Sequence, residues 1–168
     1  TTADSTDVDR RSGEVSLTIV VRAVNDAPTA GYTGATGGAE NNRLEVPEGV
    51  VTGIPGLSIG DIDYAETAGG KLTVTLTVSN GLLGYTGTKP PGVIVTMQDG
   101  KSTMILTGTQ EAIQTILNNL NYTSKENYNG KDAITLTITD NGNSGPGPNG
   151  ETELTAATTV YLSVKGVP

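Results

Sequence analysis

Strict alternation of apolar and polar residues runs through most of the chain and predicts β-strands. The sequence KLTVTLTVS at 71–79 places its leucines and valines on one face and its threonines on the other. The run DAITLTITD at 132–140 alternates in the same way. Further strands are predicted at 15–24, at 43–46 before Pro47, at 57–63, in a hairpin over 92–108 that turns at Asp99 and Gly100, and at 155–164. Residues 25–42, rich in glycine and asparagine, are predicted to be a loop or linker.

One segment has the period of a helix instead. TQEAIQTILNNLNY at 109–122 spaces four apolar residues from Ile113 to Leu120 at i, i+3, i+4 and i+7. Thr109 is a suitable N-cap for this helix. The sequence therefore predicts an all-β fold, a Greek-key β-sandwich, with one short helix near 109–119 that closes an edge or end of the sandwich.

Composition and charge narrow the classes of function. The 168 residues include no cysteine and no histidine, which excludes disulfides, zinc–thiolate sites and histidine-dependent catalysis. The net charge of −8 disfavours nucleic acid and anionic lipid as partners. No apolar run approaches the ~18 residues that span a bilayer. We therefore expect no membrane insertion. The remaining acids, such as Glu111, Glu126 and Asp132, are scattered along the sequence, so we do not expect an enzyme.

The two ends of the chain resemble each other. SLTIVVRAVNDAP at 16–28 aligns without gaps with AATTVYLSVKGVP at 156–168, and both segments end in proline. We interpret this as an internal repeat in a fragment of a longer protein. Residues 1–26 would be the last strand of a preceding repeat plus its linker, and 27–168 one complete repeat.

Several motifs carry a resemblance to a known group. VNDAP at 24–28 resembles the linker of bacterial cadherin-like tandem repeats, and VPEGV at 46–50 with LSIGDIDYAE at 57–66 is similar to their Pro-Glu and Asp-x-Asp elements. The stretch 106–143 resembles one that recurs in very large bacterial surface adhesins, including those with RTX-type export signals. The resemblance implies a cadherin/Ig-like sandwich, extracellular display on a bacterial surface, and calcium at the joints between repeats. The second linker departs from this pattern, since VKGVP at 164–168 lacks the Asn-Asp pair.

Acidic residues are expected to gather where the chain enters the sandwich. In a Greek-key arrangement the strands ending at Ile62 and Thr139 run the same way, so their ends share one pole with the incoming linker. Clustered carboxylates repel each other, and Ca²⁺, which takes about 6–8 oxygen ligands, would remove that repulsion. The alternative is a set of ordinary turns, because Asn and Asp side chains bond nearby backbone amides. The candidate ligands are Asn25, Asp26, Asp61, Asp63 and Asp140, and the weaker ones are Glu66, Glu48 at the other pole, and Asp4 at a joint upstream.

These observations predict a calcium-stabilised spacer in a long bacterial surface adhesin. Its partners would be neighbouring repeats of the same chain, with surface glycans or other cells reached through the parent protein. One alternative is a glycan-binding module that uses an exposed Tyr85 in the loop GYTGTKPPG at 84–92. Another is ice binding through threonine ladders. The threonines concerned are Thr73, Thr75, Thr77, Thr135, Thr137 and Thr139.

Overall fold

The protein is a two-layer β-sandwich with one α-helix, which confirms the predicted fold class. The computed structural model describes residues 13, 16–34, 37–143, 145, 147, 150 and 152–168. The elements, in chain order, are β1 Thr29–Tyr32, β2 Leu44–Pro47, β3 Thr52–Gly53, β4 Leu57–Gly60, β5 Leu72–Thr77, β6 Gly81–Tyr85, β7 Val93–Gln98, β8 Thr103–Gly108, α1 Gln110–Asn118, β9 Leu120–Ser124, β10 Gly130–Thr139 and β11 Thr155–Lys165.

One layer is a six-stranded sheet in the order β2-β11-β10-β5-β8-β7. Its strands pair antiparallel, except that β2 runs parallel to β11. The alternation in β5 is confirmed, because Leu72, Val74 and Leu76 are fully buried while Thr77 is exposed. Pro47 is tolerated at the end of β2 because β2 is an edge strand.

The second layer consists of the three-stranded sheet β3-β9-β6 and the antiparallel pair β1-β4. Consecutive strands cross between the layers, as β5, β6 and β7 do, so that neighbours in a sheet are mostly not neighbours in sequence. A single hydrophobic core fills the space between the layers, with Leu136 from the first layer and Leu57 and Tyr122 from the second among its fully buried members. This continuous core makes the two layers one folding unit.

The predicted helix is present. In α1, the N-cap Thr109 accepts a hydrogen bond from the backbone N–H of Ala112 at 3.2 Å. The helix ends at Asn118, and Leu120, the last residue of the predicted stripe, begins strand β9 instead. Within the described residues, no helix has the length and apolar character needed to cross a membrane.

One strand prediction and one linker prediction near the start of the chain are wrong. Residues 16–28 have no regular secondary structure, although 15–24 were expected to form a strand. The apolar side chains there lie in solvent, with Leu17 79% and Val21 88% exposed, and no strand among the described residues pairs with this segment. Conversely, β1 forms in the predicted linker because β4 supplies it with a hydrogen-bonding partner. Strands depend on pairing and packing more than on propensity.

The outer face of the six-stranded sheet is rich in threonine. The two threonine triplets of β5 and β10 lie directly side by side, with Thr73 opposite Thr139, Thr75 opposite Thr137 and Thr77 opposite Thr135. Thr107 and Thr155 extend the first of these rows onto the adjoining strands. The triplets therefore form one surface, while ice binding stays an untested alternative.

Candidate functional site

The turn after β4 holds Asp61 and Asp63 in place. The backbone N–H of Asp63 donates to Asp61 Oδ1 at 2.9 Å, which closes a local turn of the kind that aspartate favours. The backbone N–H of Asp61 donates to Gln110 Oε1 at 3.0 Å. A single 3₁₀ turn at Tyr64–Glu66 follows directly. Both carboxylates are therefore fixed near the start of α1.

The helix binds the free edge of β4 through two glutamines. Besides Gln110, Gln114 accepts a hydrogen bond from Ile59 N–H at 3.1 Å and donates Nε2–H to the Leu57 carbonyl at 2.9 Å. The two side chains lie one turn apart on the same helix face and supply β4 with partners that a further strand would otherwise provide. We did not predict this role from the sequence. The available signal was a pair of identical polar residues at i and i+4 beside the apolar stripe.

Asp140 lies at the end of β10 and is fully buried. Its Oδ1 accepts hydrogen bonds from Gly142 N–H at 2.8 Å and from Leu154 N–H at 3.0 Å. Its Oδ2 accepts a hydrogen bond from the side-chain amide of Asn25. Two backbone N–H groups and one side-chain amide therefore stabilise this buried carboxylate, and within the described part of the chain no cationic side chain pairs with it.

The incoming linker joins the sandwich at this point. Asn25 is fully buried and contacts Asp140, whereas the Asp26 side chain is exposed. The backbone N–H of Asp26 donates to Asp63 Oδ2 at 2.6 Å. The structure thus brings together the five strongest candidates, which we call the linker cluster: Asn25, Asp26, Asp61, Asp63 and Asp140.

Two oxygens of the linker cluster lack a hydrogen-bond partner. Asn25 Oδ1 and Asp61 Oδ2 are buried and unpaired within the described part of the chain. The pKa of Asp61 is raised, chiefly by burial and further by the nearby charges of Asp63 and Asp140, although the Asp63 backbone N–H opposes the shift. Buried polar atoms usually have hydrogen-bond partners, so these two oxygens leave the hydrogen-bonding capacity of the cluster incompletely satisfied.

The donor chemistry of the linker cluster fits a hard cation such as Ca²⁺, because every candidate ligand atom is a carboxylate or amide oxygen. The present arrangement is nevertheless held by hydrogen bonds. Among the described residues, no three Asp, Glu, His or Cys side chains converge as a ready metal-binding group. The Asn25 amide directs its nitrogen at Asp140, and rotating that amide by half a turn would present Oδ1 there instead. The cluster therefore has suitable oxygens, in an arrangement that a cation would have to reorganise.

The weaker candidates lie elsewhere. Glu66 is exposed on the 3₁₀ turn. Glu48 lies at the opposite pole, where its backbone N–H donates to the Lys165 carbonyl at 2.8 Å, so the length of β11 separates it from the cluster. Asp4 lies outside the described residues. Tyr85 is half-buried and packs against the hydrophobic core, which differs from the exposed position that we expected.

Asn143 is a neighbour of the cluster that sequence reasoning missed. It is 7% exposed, its backbone N–H donates to the Asp140 carbonyl at 3.3 Å, and its Nδ2–H donates to the Lys71 carbonyl at 3.2 Å. These bonds tie the loop after β10 to the residue before β5. Asn143 thus helps to position Asp140, and its place three residues after an Asp in DNGN was the available signal.

Comparison with known proteins gives a limited result. No protein-family model matches the chain. The comparison with curated proteins gives no match. Among solved structures, the chain is similar to a cohesin module from a family 33 glycoside hydrolase of Clostridium perfringens, with 13% sequence identity and a TM-score of 0.42, over 85% of this chain and 99% of that one.

Proposed function

We propose that this chain is a calcium-stabilised structural repeat, a spacer in a long adhesin on a bacterial surface. The observation that carries the proposal is the pair of buried, unpartnered oxygens, Asn25 Oδ1 and Asp61 Oδ2. They belong to a cluster of carboxylates that joins the incoming linker to the sandwich. A cation bound by this cluster would tie the linker to the sandwich and so restrict bending at the joint between neighbouring repeats.

The energetic argument concerns uncompensated charge. A buried polar group without a partner costs about 1–3 kcal/mol, and more when it is charged. Here burial raises the pKa of Asp61, and the charges of Asp63 and Asp140 raise it further. A divalent cation would offset both costs at once. Ca²⁺ suits irregular sets of protein oxygens, whereas Mg²⁺ requires near-octahedral geometry and keeps more of its water.

The mechanical consequence follows from where the ligands are attached. Asn25 and Asp26 belong to the linker, while Asp61, Asp63 and Asp140 lie directly after strands β4 and β10 of the sandwich. A short linker between domains bends freely unless contacts tie it down. A cation shared by linker and sandwich would fix the direction in which the preceding residues leave the domain. Repeated along a chain, such joints would make a stiff rod that carries an adhesive tip away from the cell.

The experiment is a calcium titration of the chain followed by ¹⁵N relaxation of the backbone amides. We expect the order parameters of Asn25 and Asp26 to rise toward the rigid value of about 0.85 as calcium is added. Magnesium at equal concentration is the matched control and should give a smaller change. Order parameters that stay the same with and without calcium would contradict the spacer proposal.

A further inference from the structure

A cleft of about 340 Å³ opens beside the C-terminal end of α1. This volume lies within the range of about 300–1,000 Å³ that small-ligand sites occupy. The buried side chains of Ile54 and Leu120 line it together with the exposed Val51 and Pro55. Gln110 contacts the linker cluster at the other end of the helix, about 12 Å away along the helix axis. The cleft is therefore a separate feature of the fold.

Side-chain amides with free hydrogen-bonding groups also line the cleft. Asn119 donates Nδ2–H to the Thr115 carbonyl at 2.8 Å, which leaves its Oδ1 as an acceptor. Asn118 Oδ1 accepts from Gln114 Nε2 at 2.8 Å, which leaves its Nδ2 as a donor. Asn121 has no side-chain hydrogen bond among the described residues, and its Oδ1 lies over the backbone of Gly84. The cleft thus offers donors and acceptors side by side.

None of the described residues that line the cleft is charged, although the chain as a whole carries a net charge of −8. An anionic ligand would meet no counter-charge in the cleft and a net-negative protein around it, and a cationic ligand would meet no carboxylate there. Thr86 adds a hydroxyl to the amides. The matching ligand is neutral, has hydroxyl groups that both donate and accept, and has apolar C–H faces to lie against the exposed Val51 and Pro55.

We propose that this cleft binds a neutral saccharide. Sugar hydroxyls would pair with the amides of Asn118, Asn119 and Asn121, and one face of the ring would pack on the apolar lining. No aromatic side chain among the described residues lines the cleft, so we expect the affinity to be low. This inference is independent of calcium and gives the molecule a ligand-binding role besides the spacer role.

The experiment is a titration of the ¹⁵N-labelled chain with glucose, galactose, N-acetylglucosamine and maltose, followed by amide chemical shifts. We expect saturable shifts at Thr86 and at Asn118–Asn121 with at least one of these sugars, of equal size in EGTA and in calcium. Equality in the two buffers separates this inference from the calcium proposal. Sialic acid, which is anionic, should give smaller shifts than the neutral sugars.

Two variants and one control locate the binding. Asn121→Leu, which removes the unpaired amide and nearly conserves volume, should weaken binding at least tenfold. Asn118→Ala on the exposed helix end provides an independent test if the first variant folds poorly. Asn41→Leu, an exposed asparagine outside the cleft, should bind as the parent does. The proposal is overturned if no sugar shifts the cleft amides, if the shifts lie elsewhere, or if both cleft variants bind like the parent.

Discussion

Replacing Asp61 with asparagine should change stability in opposite directions with and without calcium. Asn conserves the Oδ1 acceptor that receives the Asp63 N–H, and it replaces the unpartnered Oδ2 with an NH₂ group. That group can donate toward the carboxylates of Asp63 and Asp140, whose charges act on Asp61. In the metal-free protein, Asp61→Asn therefore removes a repulsion and supplies a donor.

The magnitude follows from the buried oxygen. Relief of one unsatisfied buried group is worth about 1–3 kcal/mol. For a domain of this size, each kcal/mol moves Tm by about 2–4 °C. In EGTA, the melting temperature of Asp61→Asn should thus lie at least about 2 °C above that of the parent.

Calcium should reverse the order. Extracellular calcium modules bind with Kd of about 10⁻⁴–10⁻³ M, so ~10 mM calcium would stabilise the parent by about 1.4–2.7 kcal/mol. That corresponds to a rise in Tm of about 3–11 °C. Asp61→Asn loses a charged ligand and should gain much less. Glu126→Gln, the same chemical change at an exposed residue, should match the parent in both buffers.

Differential scanning calorimetry in the two buffers measures both effects.

The pH dependence of the stability difference gives an internal check in EGTA. Because the pKa of Asp61 is raised above 3.8 in the folded state, the folded protein binds this proton more tightly than the unfolded chain. The parent should therefore approach Asp61→Asn in stability as the pH falls toward 3.8. A variant that is less stable than the parent in EGTA, or that responds to calcium as the parent does, would refute the reasoning.

Three further predictions concern the scaffold. Gln114→Ala should lower the free energy of unfolding by about 1–3 kcal/mol, because the Ile59 N–H and the Leu57 carbonyl lose their side-chain partner. Gln98→Ala, at an exposed strand position, should change it by less than about 0.5 kcal/mol in the same urea titration. Tyr122→Phe removes a 2.7 Å hydrogen bond to the buried Asp132 carboxylate and should cost about 1.5–3 kcal/mol, and an unchanged urea midpoint would contradict this. Leu76→Ala in the middle of β5 should lower the free energy of unfolding by about 2–5 kcal/mol by calorimetry. A smaller decrease would contradict this and would mean that neighbouring side chains fill the cavity.

The sequence predicted the strands that bury a continuous apolar face. In β5 and β10, side chains alternate strictly between core and surface, so periodicity alone located them. The short strands β3 and β6 escaped prediction, because each depends on β9 for its hydrogen bonds and has little pattern of its own. Pairing between segments distant in sequence cannot be inferred from local propensity.

The same limit applies to the linker cluster. Asp61, Asp63 and Asp140 were found because acidic turns at the ends of strands that run in the same direction lie at the same pole of a sandwich. Gln110 was missed because its role is a contact between a helix and the edge of a strand, which composition does not reveal. Whether the cluster binds calcium depends on the positions of individual oxygens, and the sequence specifies only their chemical type.

The burial pattern of β11 also bears on the alignment of residues 16–28 with 156–168, on which the prediction of an internal repeat rests. The gapless alignment of 16–28 with 156–168 pairs Arg22 with Leu162, which is fully buried. A guanidinium at that position would lack water and a partner charge. Shifting the alignment by one residue pairs Ile19 with the buried Val160 and Val21 with Leu162, and moves Arg22 to the outward face. Because a one-residue slip exchanges the faces of a strand, only the shifted register gives residues 17–23 a face able to enter a sandwich core.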